Sequence, residues 1–186
     1  CLNRGCNPSK MLIQAATAAN HVRDAEKFFL DASLDDIDYE AIIDDMDDTL
    51  SPLAAGMEDS YREKEQLTLY KDEATFVDER TVDIDGELLS AEKVVVAAGS
   101  RPLVPPIDGL DTVDYMTSQE ALYRREQPES LVILGGGYIA VELGYFFESL
   151  GTDVKIVEMM DSLVPREDPD VSSTFTEIAE QRHEVY

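Results

Sequence analysis

Residues 131–158, LVILGGGYIAVELGYFFESLGTDVKIVE, decide the fold of this chain. Two short apolar runs, Leu131–Leu134 and Val154–Val157, lie on either side of Tyr138–Leu150, whose apolar residues have helical spacing. A glycine turn, Gly135–Gly137, joins the first run to the helix. A strand, a helix and a second strand in this order form a parallel βαβ unit. The sequence therefore predicts an α/β protein.

The glycine turn has the pattern G-x-G-x-x-A, in which glycines allow a tight turn and let the backbone approach a pyrophosphate at the helix N-terminus. The candidate cofactor-binding residues of this turn are Gly135, Gly136, Gly137, Tyr138, Ile139, Ala140 and Val141. Glu158 follows the second strand, roughly 20 residues further on, where a carboxylate accepts hydrogen bonds from a ribose 2′-OH and repels a 2′-phosphate. The segment therefore predicts a site for NAD, with NADH favoured over NADPH.

Cys1 and Cys6 are the two cysteines of the chain, and they lie directly before a predicted helix that starts near Asn7. A zinc site needs about four ligands, and His21 and His183 show no ligand spacing, so no metal site is predicted. A structural disulfide is disfavoured in a reducing cytosol. The positive end of a helix stabilises a nearby thiolate. We therefore interpret the pair as a catalytic dithiol, with Cys6 as the thiolate and Cys1 as the outer partner.

The segment that continues from this pair, Cys1-Leu-Asn-Arg-Gly-Cys6-Asn-Pro-Ser-Lys10, resembles the active site of the pyridine nucleotide-disulfide oxidoreductases. This family includes dihydrolipoyl dehydrogenase, glutathione reductase and mycothione reductase. The resemblance implies that Cys1 attacks the substrate disulfide and that Cys6 lies against FAD as the charge-transfer thiolate. It also implies that Lys10 lies beside the flavin ring and contacts Glu142. Without the resemblance, Lys10 and Glu142 could be ordinary solvated helix residues.

Two other segments resemble FAD-binding parts of the same family. Residues 94–102, VVVAAGSRP, resemble the strand and turn that close over FAD, which places Ala98, Gly99 and Ser100 at the cofactor. The family has Thr-Gly more often than Ala-Gly at this turn. Ala74 matches a position where backbone groups meet the adenine. The resemblance therefore implies FAD as a second cofactor.

The resemblance also implies two Rossmann-like three-layer domains, one for FAD over residues 1–116 and one for NAD(P) over residues 117–186. A proline-rich segment, 101–109, is the candidate linker. The family's upstream glycine motif for FAD and its C-terminal His-Glu acid–base pair are not found in the sequence, which begins at Cys1. We therefore expect both domains to be incomplete and the isolated chain to be inactive.

The substrate is less sharply indicated than the reaction. Glu158 and Met11-Leu12 fit a dihydrolipoyl dehydrogenase-like enzyme, whereas residues 97–106 and 113–118 resemble mycothione reductase more closely. The expected partners are therefore a small-molecule or lipoyl-linked disulfide and, by the family resemblance, a second copy in a homodimer. A hypothesis of another class is a non-catalytic remnant that binds nucleotide without turnover.

The composition excludes several partners. Forty Asp and Glu residues against fifteen Lys and Arg give a formal charge of -25, which repels nucleic acids and anionic lipid surfaces. Because the acidic residues are spread along the chain, the sequence predicts a protein of a salt-adapted, halophilic cell. No run approaches the roughly 18 apolar residues of a membrane helix. We expect a soluble, cytoplasmic protein.

Periodicity and turn residues predict the remaining elements. The predicted helices are Asn7–Leu30, capped by Asn7, then Leu53–Gln66 and Ser118–Arg125. The predicted strands are Leu67–Tyr70, Ala74–Asp78, Thr81–Ile84 and Lys93–Ala97, with Asp85-Gly86 as a hairpin turn.

Overall fold

The computed structural model describes all residues from 1 to 186, which form two compact units. The larger unit contains Cys1–Ala54 and Ile107–Tyr186, and the smaller unit contains Ala55–Pro106. These units differ from the two nucleotide-binding domains predicted over 1–116 and 117–186, and that division stays a prediction.

Five α-helices and six strands follow one another along the chain. In order they are α1 (Cys6–Arg23), α2 (Tyr39–Arg62), β1 (Ala74–Asp78), β2 (Thr81–Ile84), β3 (Glu87–Ser90), α3 (Ser118–Leu122), β4 (Ser130–Leu134), α4 (Tyr138–Ser149), β5 (Asp153–Val157), α5 (Pro169–Ala179) and β6 (Glu184–Val185). Short 3-10 turns cover Ala25–Phe28 and Leu110–Thr112. None of the helices combines the length and the apolar character that crossing a bilayer requires.

The larger unit contains a parallel sheet with the strand order β4-β5-β6. Leu131 pairs with Val154 and Leu134 pairs with Val157, so β4 and β5 are parallel and α4 connects them. The predicted βαβ unit and the α/β class are therefore confirmed. Because parallel strands end at the same edge of a sheet, the glycine turn after β4 and Glu158 after β5 lie at one edge.

The core of the larger unit packs α1 and α2 against α4 and β5. Buried apolar side chains recur along each element at its own period, and the contributors are Leu12, Ala16 and Ala19 from α1, Tyr39, Ile43, Met46 and Leu50 from α2, Leu143, Phe146 and Phe147 from α4, and Val154 and Ile156 from β5. The Phe146 and Phe147 rings meet edge to face with centroids 5.1 Å apart. This core holds the cysteine-bearing helix against the helix of the glycine turn.

Helix α1 differs from its prediction at both ends. It begins at Cys6 with Gly5 as the N-cap, and no side chain caps it, so the predicted cap at Asn7 is wrong. The helix ends at Arg23 because the chain then enters a 3-10 turn that closes at Phe29, whose φ is 61°. Of the apolar residues after Arg23, Ala25 is buried, whereas Phe28, Phe29 and Leu30 are exposed.

Helix α2 begins fourteen residues before its predicted start at Leu53. Tyr39, Ile43, Met46 and Leu50 recur every three or four residues and bury one face of the helix, while the acidic residues between them face solvent. Pro52 lies inside the helix. The acidic residues at 40–48 therefore form the polar face of a helix, whereas residues 31–38 have no regular structure.

The smaller unit contains an antiparallel sheet with the order β1-β2-β3. Asp85 and Gly86 have φ values of 51° and 86°, as a two-residue hairpin requires, so the predicted hairpin is confirmed. Residues 67–70 and 93–97 form no strand. An apolar run becomes a strand only where another strand pairs with it, and no strand of the chain does so for these two runs.

Candidate functional site

The two thiols lie together at the start of α1. Cys1 Sγ and Cys6 Sγ are 3.4 Å apart, and both cysteines are free and exposed. A disulfide needs the sulfurs at about 2.05 Å, so a small movement of the exposed Cys1 side chain brings the pair to bonding distance when it is oxidised. Cys6 is the first residue of α1 and therefore lies at the positive end of the helix dipole. The predicted dithiol is thus placed at a helix N-terminus.

The turn between the cysteines is held at several points. The Asn7 N–H donates to the Cys1 carbonyl at 3.1 Å, which closes the loop. Gly5 is packed so closely that a Cβ atom there would lie 3.2 Å from Cys1 Cα. The Tyr123 hydroxyl donates to the Asn3 carbonyl at 2.6 Å. These contacts keep both thiols on the same side of the turn.

Glu142 of α4 binds the first turns of α1 through both carboxylate oxygens. Its Oε1 forms an ion pair with Lys10 Nζ, which is the contact expected from the sequence. Its Oε2 accepts a hydrogen bond from the Ser9 hydroxyl at 3.0 Å. The Ser9 contact was not predicted, because a serine beside a helix lysine gives no sequence signal of its own.

A polar cleft follows the same helix pair toward the end of α1. It has a volume of about 690 Å³. Asn20 Nδ2 donates to the Tyr145 hydroxyl at 3.1 Å and to Ser149 Oγ at 2.8 Å. Arg182 lies over the Tyr145 ring, 4.9 Å from its centroid. Burial tends to raise the pKa of Tyr145, but hydrogen bonds from Thr17 and Asn20 lower it overall. The cleft therefore adds a second polar contact between α1 and α4.

The glycine turn and Glu158 are in direct contact. Glu158 Oε2 accepts a hydrogen bond from the Gly136 N–H at 2.6 Å, and Oε1 accepts one from the Met160 N–H at 2.9 Å. Gly135 has a φ of 102°, which favours glycine. Helix α4 starts at Tyr138 without a side-chain cap. Its first N–H groups are therefore free to bind an anion such as a phosphate.

The loop after Glu158 packs onto the glycine turn. A Cβ atom at Gly136 would lie 2.5 Å from Leu163 Cδ2 and 3.1 Å from Glu158 Oε2, so only glycine fits there. The Val164 N–H donates to the Gly136 carbonyl at 2.7 Å. Leu163 is fully buried. This partner of the glycine turn was missed in the sequence, because an isolated leucine in a loop has no periodic pattern.

The remaining predicted cofactor residues lie in the smaller unit. Residues 94–102 have no regular structure, and Ala98, Gly99 and Ser100 are exposed. Gly99 has a φ of 73°, which marks a turn at the predicted position. Ala74 is the first residue of β1 and is exposed. Their proposed role toward FAD stays a prediction.

The family is shown by comparison with known proteins. A family model described as pyridine nucleotide-disulphide oxidoreductase matches residues 1–185. The chain belongs to this family. Its dithiol turn, its glycine turn and the Lys10–Glu142 pair all lie within the matched residues.

Several family members are similar over nearly the whole chain. A mercuric reductase of Lysinibacillus sphaericus is 33% identical over 94% of the chain, and the match covers 32% of that protein. A mycothione reductase of Mycobacterium tuberculosis is 35% identical over 100% of the chain and 42% of its own length. Dihydrolipoyl dehydrogenase 2 of Haloarcula marismortui is 35% identical over 97% of the chain and 39% of its own length. The chain thus spans about two fifths or less of these relatives.

A solved structure supports the same fold. The HOCl-induced flavoprotein disulfide reductase RclA from Escherichia coli matches with a TM-score of 0.79 and 26% identity, over 100% of this chain and 40% of that one. The Rossmann-like α/β class predicted from the sequence is therefore confirmed.

The residues at the edge of the parallel sheet fit a dinucleotide. Nothing lies within 4 Å of a Cβ atom built at Gly137, which leaves that part of the turn open, and the uncapped start of α4 offers N–H groups to a pyrophosphate. Each Glu158 oxygen has one backbone donor and therefore keeps a free lone pair for a ribose hydroxyl. The dithiol is connected to the same helix through Glu142. The larger unit thus brings together N–H donors and a carboxylate that fit a dinucleotide, and a thiol pair 3.4 Å apart.

Proposed function

We propose that the complete protein is an FAD-dependent NADH:disulfide oxidoreductase that uses Cys1 and Cys6 as its redox pair. The observation that carries this proposal is the free thiol pair, 3.4 Å apart, at the N-terminus of a helix bound through Glu142 to the helix of the glycine turn. The family match supports the reaction class. Bound FAD would supply the two-electron chemistry between a nicotinamide and the thiol pair.

Cys1 is the proposed attacking thiol, because it lies outside the helix in an exposed turn. Its thiolate attacks one sulfur of the substrate disulfide, and the leaving sulfur departs as a thiolate that takes up a proton. Cys6 then attacks Cys1 Sγ, which releases the second substrate thiol and closes a Cys1–Cys6 disulfide. The substrate has gained two electrons and two protons, and the thiol pair has lost two electrons.

The nicotinamide site is proposed at the glycine turn, with Gly135–Gly137 and the start of α4 around the pyrophosphate. Glu158 would accept hydrogen bonds from the adenosine ribose diol and would repel a 2′-phosphate. This arrangement supports NADH over NADPH. Lys10 and Glu142 would lie on the flavin side, as the family resemblance implies.

The proposed substrate is a lipoyl-linked disulfide, and the protein is proposed to act as a homodimer. Dihydrolipoyl dehydrogenase 2 of Haloarcula marismortui matches over 97% of the chain. The similarity to a Haloarcula protein agrees with the salt adaptation that the charge of -25 suggests. A second candidate is a low-molecular-weight disulfide reductase, favoured by the mycothione reductase match over the whole chain.

The test uses the complete polypeptide that contains residues 1–186, loaded with FAD. Oxidised protein is incubated with NADH, and free thiols are counted by alkylation and mass spectrometry. We expect two new thiols per chain, and NADH oxidation that depends on lipoamide. The variants Cys1→Ser and Cys6→Ser should each abolish turnover, whereas Glu129→Gln, remote from the dithiol, should retain it.

Each alternative gives a different result in the same assay. NADH-dependent thiols with turnover on mycothiol disulfide but not on lipoamide would support the second candidate. No thiols after NADH addition, in protein that contains FAD, would overturn the proposed reaction and support a nucleotide-binding remnant.

A further inference from the structure

We propose that Ser9 is a positioning residue, whose hydroxyl couples Glu142 on α4 to the turn that carries Cys6. The proposal rests on the proposed role of Cys6 as the inner thiolate of the redox pair. It concerns a residue next to Lys10 whose side chain otherwise has no part in the proposed chemistry.

The hydroxyl of Ser9 lies between two acceptors. Its Oγ is 3.0 Å from Glu142 Oε2 and 3.2 Å from the carbonyl oxygen of Cys6. A hydroxyl has one proton, so it can donate to only one of these oxygens at a time. Ser9 is 9% exposed, so water does not readily replace either partner. The choice between the two acceptors is therefore made inside the protein.

The carboxylate is the stronger acceptor while it is in place. Hydrogen bonds to a charged group are roughly twice as strong as bonds between neutral groups. With Glu142 in place, the hydroxyl donates to Glu142 Oε2, and the Cys6 carbonyl accepts hydrogen bonds only within α1. Without Glu142, the hydroxyl donates to the Cys6 carbonyl three residues earlier, a local bond that serine side chains form in helices. The hydroxyl proton of Ser9 therefore points to Glu142 when the carboxylate is in place and to the Cys6 carbonyl when it is removed.

Lys10 cannot provide this coupling alone. Its side chain is 58% exposed, and an exposed ion pair is weak and tolerant of movement. The Ser9 contact is directional and comes from a buried hydroxyl, and it orients the carboxylate that Lys10 also binds. Because Glu142 lies on the helix that begins at the glycine turn, Ser9 transmits the position of that helix to the first turn of α1.

The test is a double-mutant cycle on the reactivity of Cys6. It uses the complete polypeptide in a Cys1→Ser background, without added flavin or nicotinamide, and measures the rate of alkylation by iodoacetamide at fixed pH. Glu142→Ala is introduced into native Ser9, into Ser9→Thr, which keeps a hydroxyl, and into Ser9→Val, which has the same shape without one. In all three backgrounds Glu142→Ala removes the same charge and the same partner of Lys10, so these effects cancel when the changes in alkylation rate are compared.

We expect Glu142→Ala to accelerate alkylation of Cys6 about three-fold more with a hydroxyl at position 9 than with Ser9→Val. The freed hydroxyl then donates to the Cys6 carbonyl and holds the first turn, so the positive end of the helix dipole stays beside the Cys6 thiolate. Equal acceleration in the Ser9→Thr and Ser9→Val backgrounds would overturn the proposal. So would a smaller acceleration in the hydroxyl backgrounds.

Two controls separate this result from folding and from the proposed reaction. Far-UV circular dichroism checks every variant, and the isosteric Thr and Val pair keeps the comparison valid if a smaller side chain at position 9 unfolds the turn. The assay needs no turnover. A protein that shows the coupling but does not reduce disulfides would therefore contradict the proposed function and leave the role of Ser9 intact.

Discussion

Replacing Glu158 by Gln should reduce the preference for an unphosphorylated adenosine ribose by at least ten-fold. Each carboxylate oxygen accepts one backbone hydrogen bond, from Gly136 at 2.6 Å and from Met160 at 2.9 Å. Each oxygen has a second lone pair, so both can still bind a ribose hydroxyl. Gln keeps the shape and one acceptor oxygen but loses the charge and the second acceptor.

The magnitude follows from these contacts. A hydrogen bond to a charged group contributes about 1.5–3 kcal/mol, so the loss of one to the ribose corresponds to roughly 10- to 100-fold weaker NADH binding. For NADPH the change has the opposite sign. Two unit charges about 4 Å apart near a protein surface repel by about 4 kcal/mol, and Gln removes that repulsion from the 2′-phosphate. The ratio of the two dissociation constants is therefore expected to change more than either constant.

The assay is calorimetric titration of the complete polypeptide with NADH and with NADPH. The matched control is Glu129→Gln, which changes the charge equally but precedes β4, at the opposite edge of the parallel sheet from Glu158. We expect the control to keep the native ratio of dissociation constants. Tighter native binding of NADPH, or an equal ratio in the native protein and Glu158→Gln, would refute the role given to this carboxylate.

Four further predictions concern stability. Gly136→Ala should destabilise the fold by about 1–3 kcal/mol in urea titrations, because the new Cβ atom would lie 2.5 Å from buried Leu163. The control Gly56→Ala should not destabilise it, because a Cβ atom at this position of α2 would meet nothing within 4 Å. Burial raises the pKa of Tyr39 to about 12, so the neutral phenol stabilises the fold below pH 10 and this contribution is lost as the pH rises toward 12. Between pH 10 and 12 the melting temperature of Tyr39→Phe should therefore fall less than that of the native chain, and parallel curves would contradict the assignment. Burial lowers the pKa of His183, so the neutral ring contributes fully to the stability of the fold above its ordinary pKa of 6.5, and this contribution is lost as the pH falls below that value. The native chain should therefore melt above His183→Gln by a margin that shrinks from pH 7.5 to pH 5, and a constant margin would exclude this effect. With a charge of -25, the melting temperature should rise from low to molar potassium chloride, and a flat or falling curve would remove the case for salt adaptation.

The elements that the sequence predicted well are those with their own local signals. The βαβ unit has two apolar runs, a glycine turn and helical spacing between them, and it forms with bounds within one residue of the prediction. The hairpin at Asp85-Gly86 depends on two positive φ values that these residues accept. In both cases the residues nearest in sequence decide the structure.

The misplaced elements depend on partners that are distant in sequence. The apolar stripe of α2, from Tyr39 to Leu50, is interrupted by acidic residues, and its burial depends on distant partners such as Phe146 and Phe147, which pack against Tyr39. Residues 93–97 have strand composition, but no strand of the chain pairs with them. Composition predicts that a segment can be buried, whereas the partner decides where and in which conformation.

The candidate site shows the same division. The sequence and its family resemblance predicted the Lys10–Glu142 contact and placed Glu158 after a strand beside the glycine turn. They did not predict that Glu158 binds the Gly136 N–H or that Leu163 fills the space above Gly136. Nor did they indicate that Ser9 shares Glu142 with Lys10. These contacts join residues more than twenty positions apart and leave no periodic trace.

The acidic composition makes the location of the basic residues informative. Lys10 and Arg182 form ion pairs with α4, and Arg125 binds Asp44 at 2.8 Å on α2. Exposed pairs of this kind contribute about 0–1 kcal/mol each and weaken in salt, so they cannot offset the repulsion among the excess carboxylates. The buried apolar contact between α1 and α4 must therefore supply most of their association. Since the Ser9–Glu142 hydrogen bond is part-buried and its donor is an uncharged hydroxyl, it should depend less on salt than the Lys10 pair and hold the dithiol helix in register with α4 at salt concentrations that screen that pair.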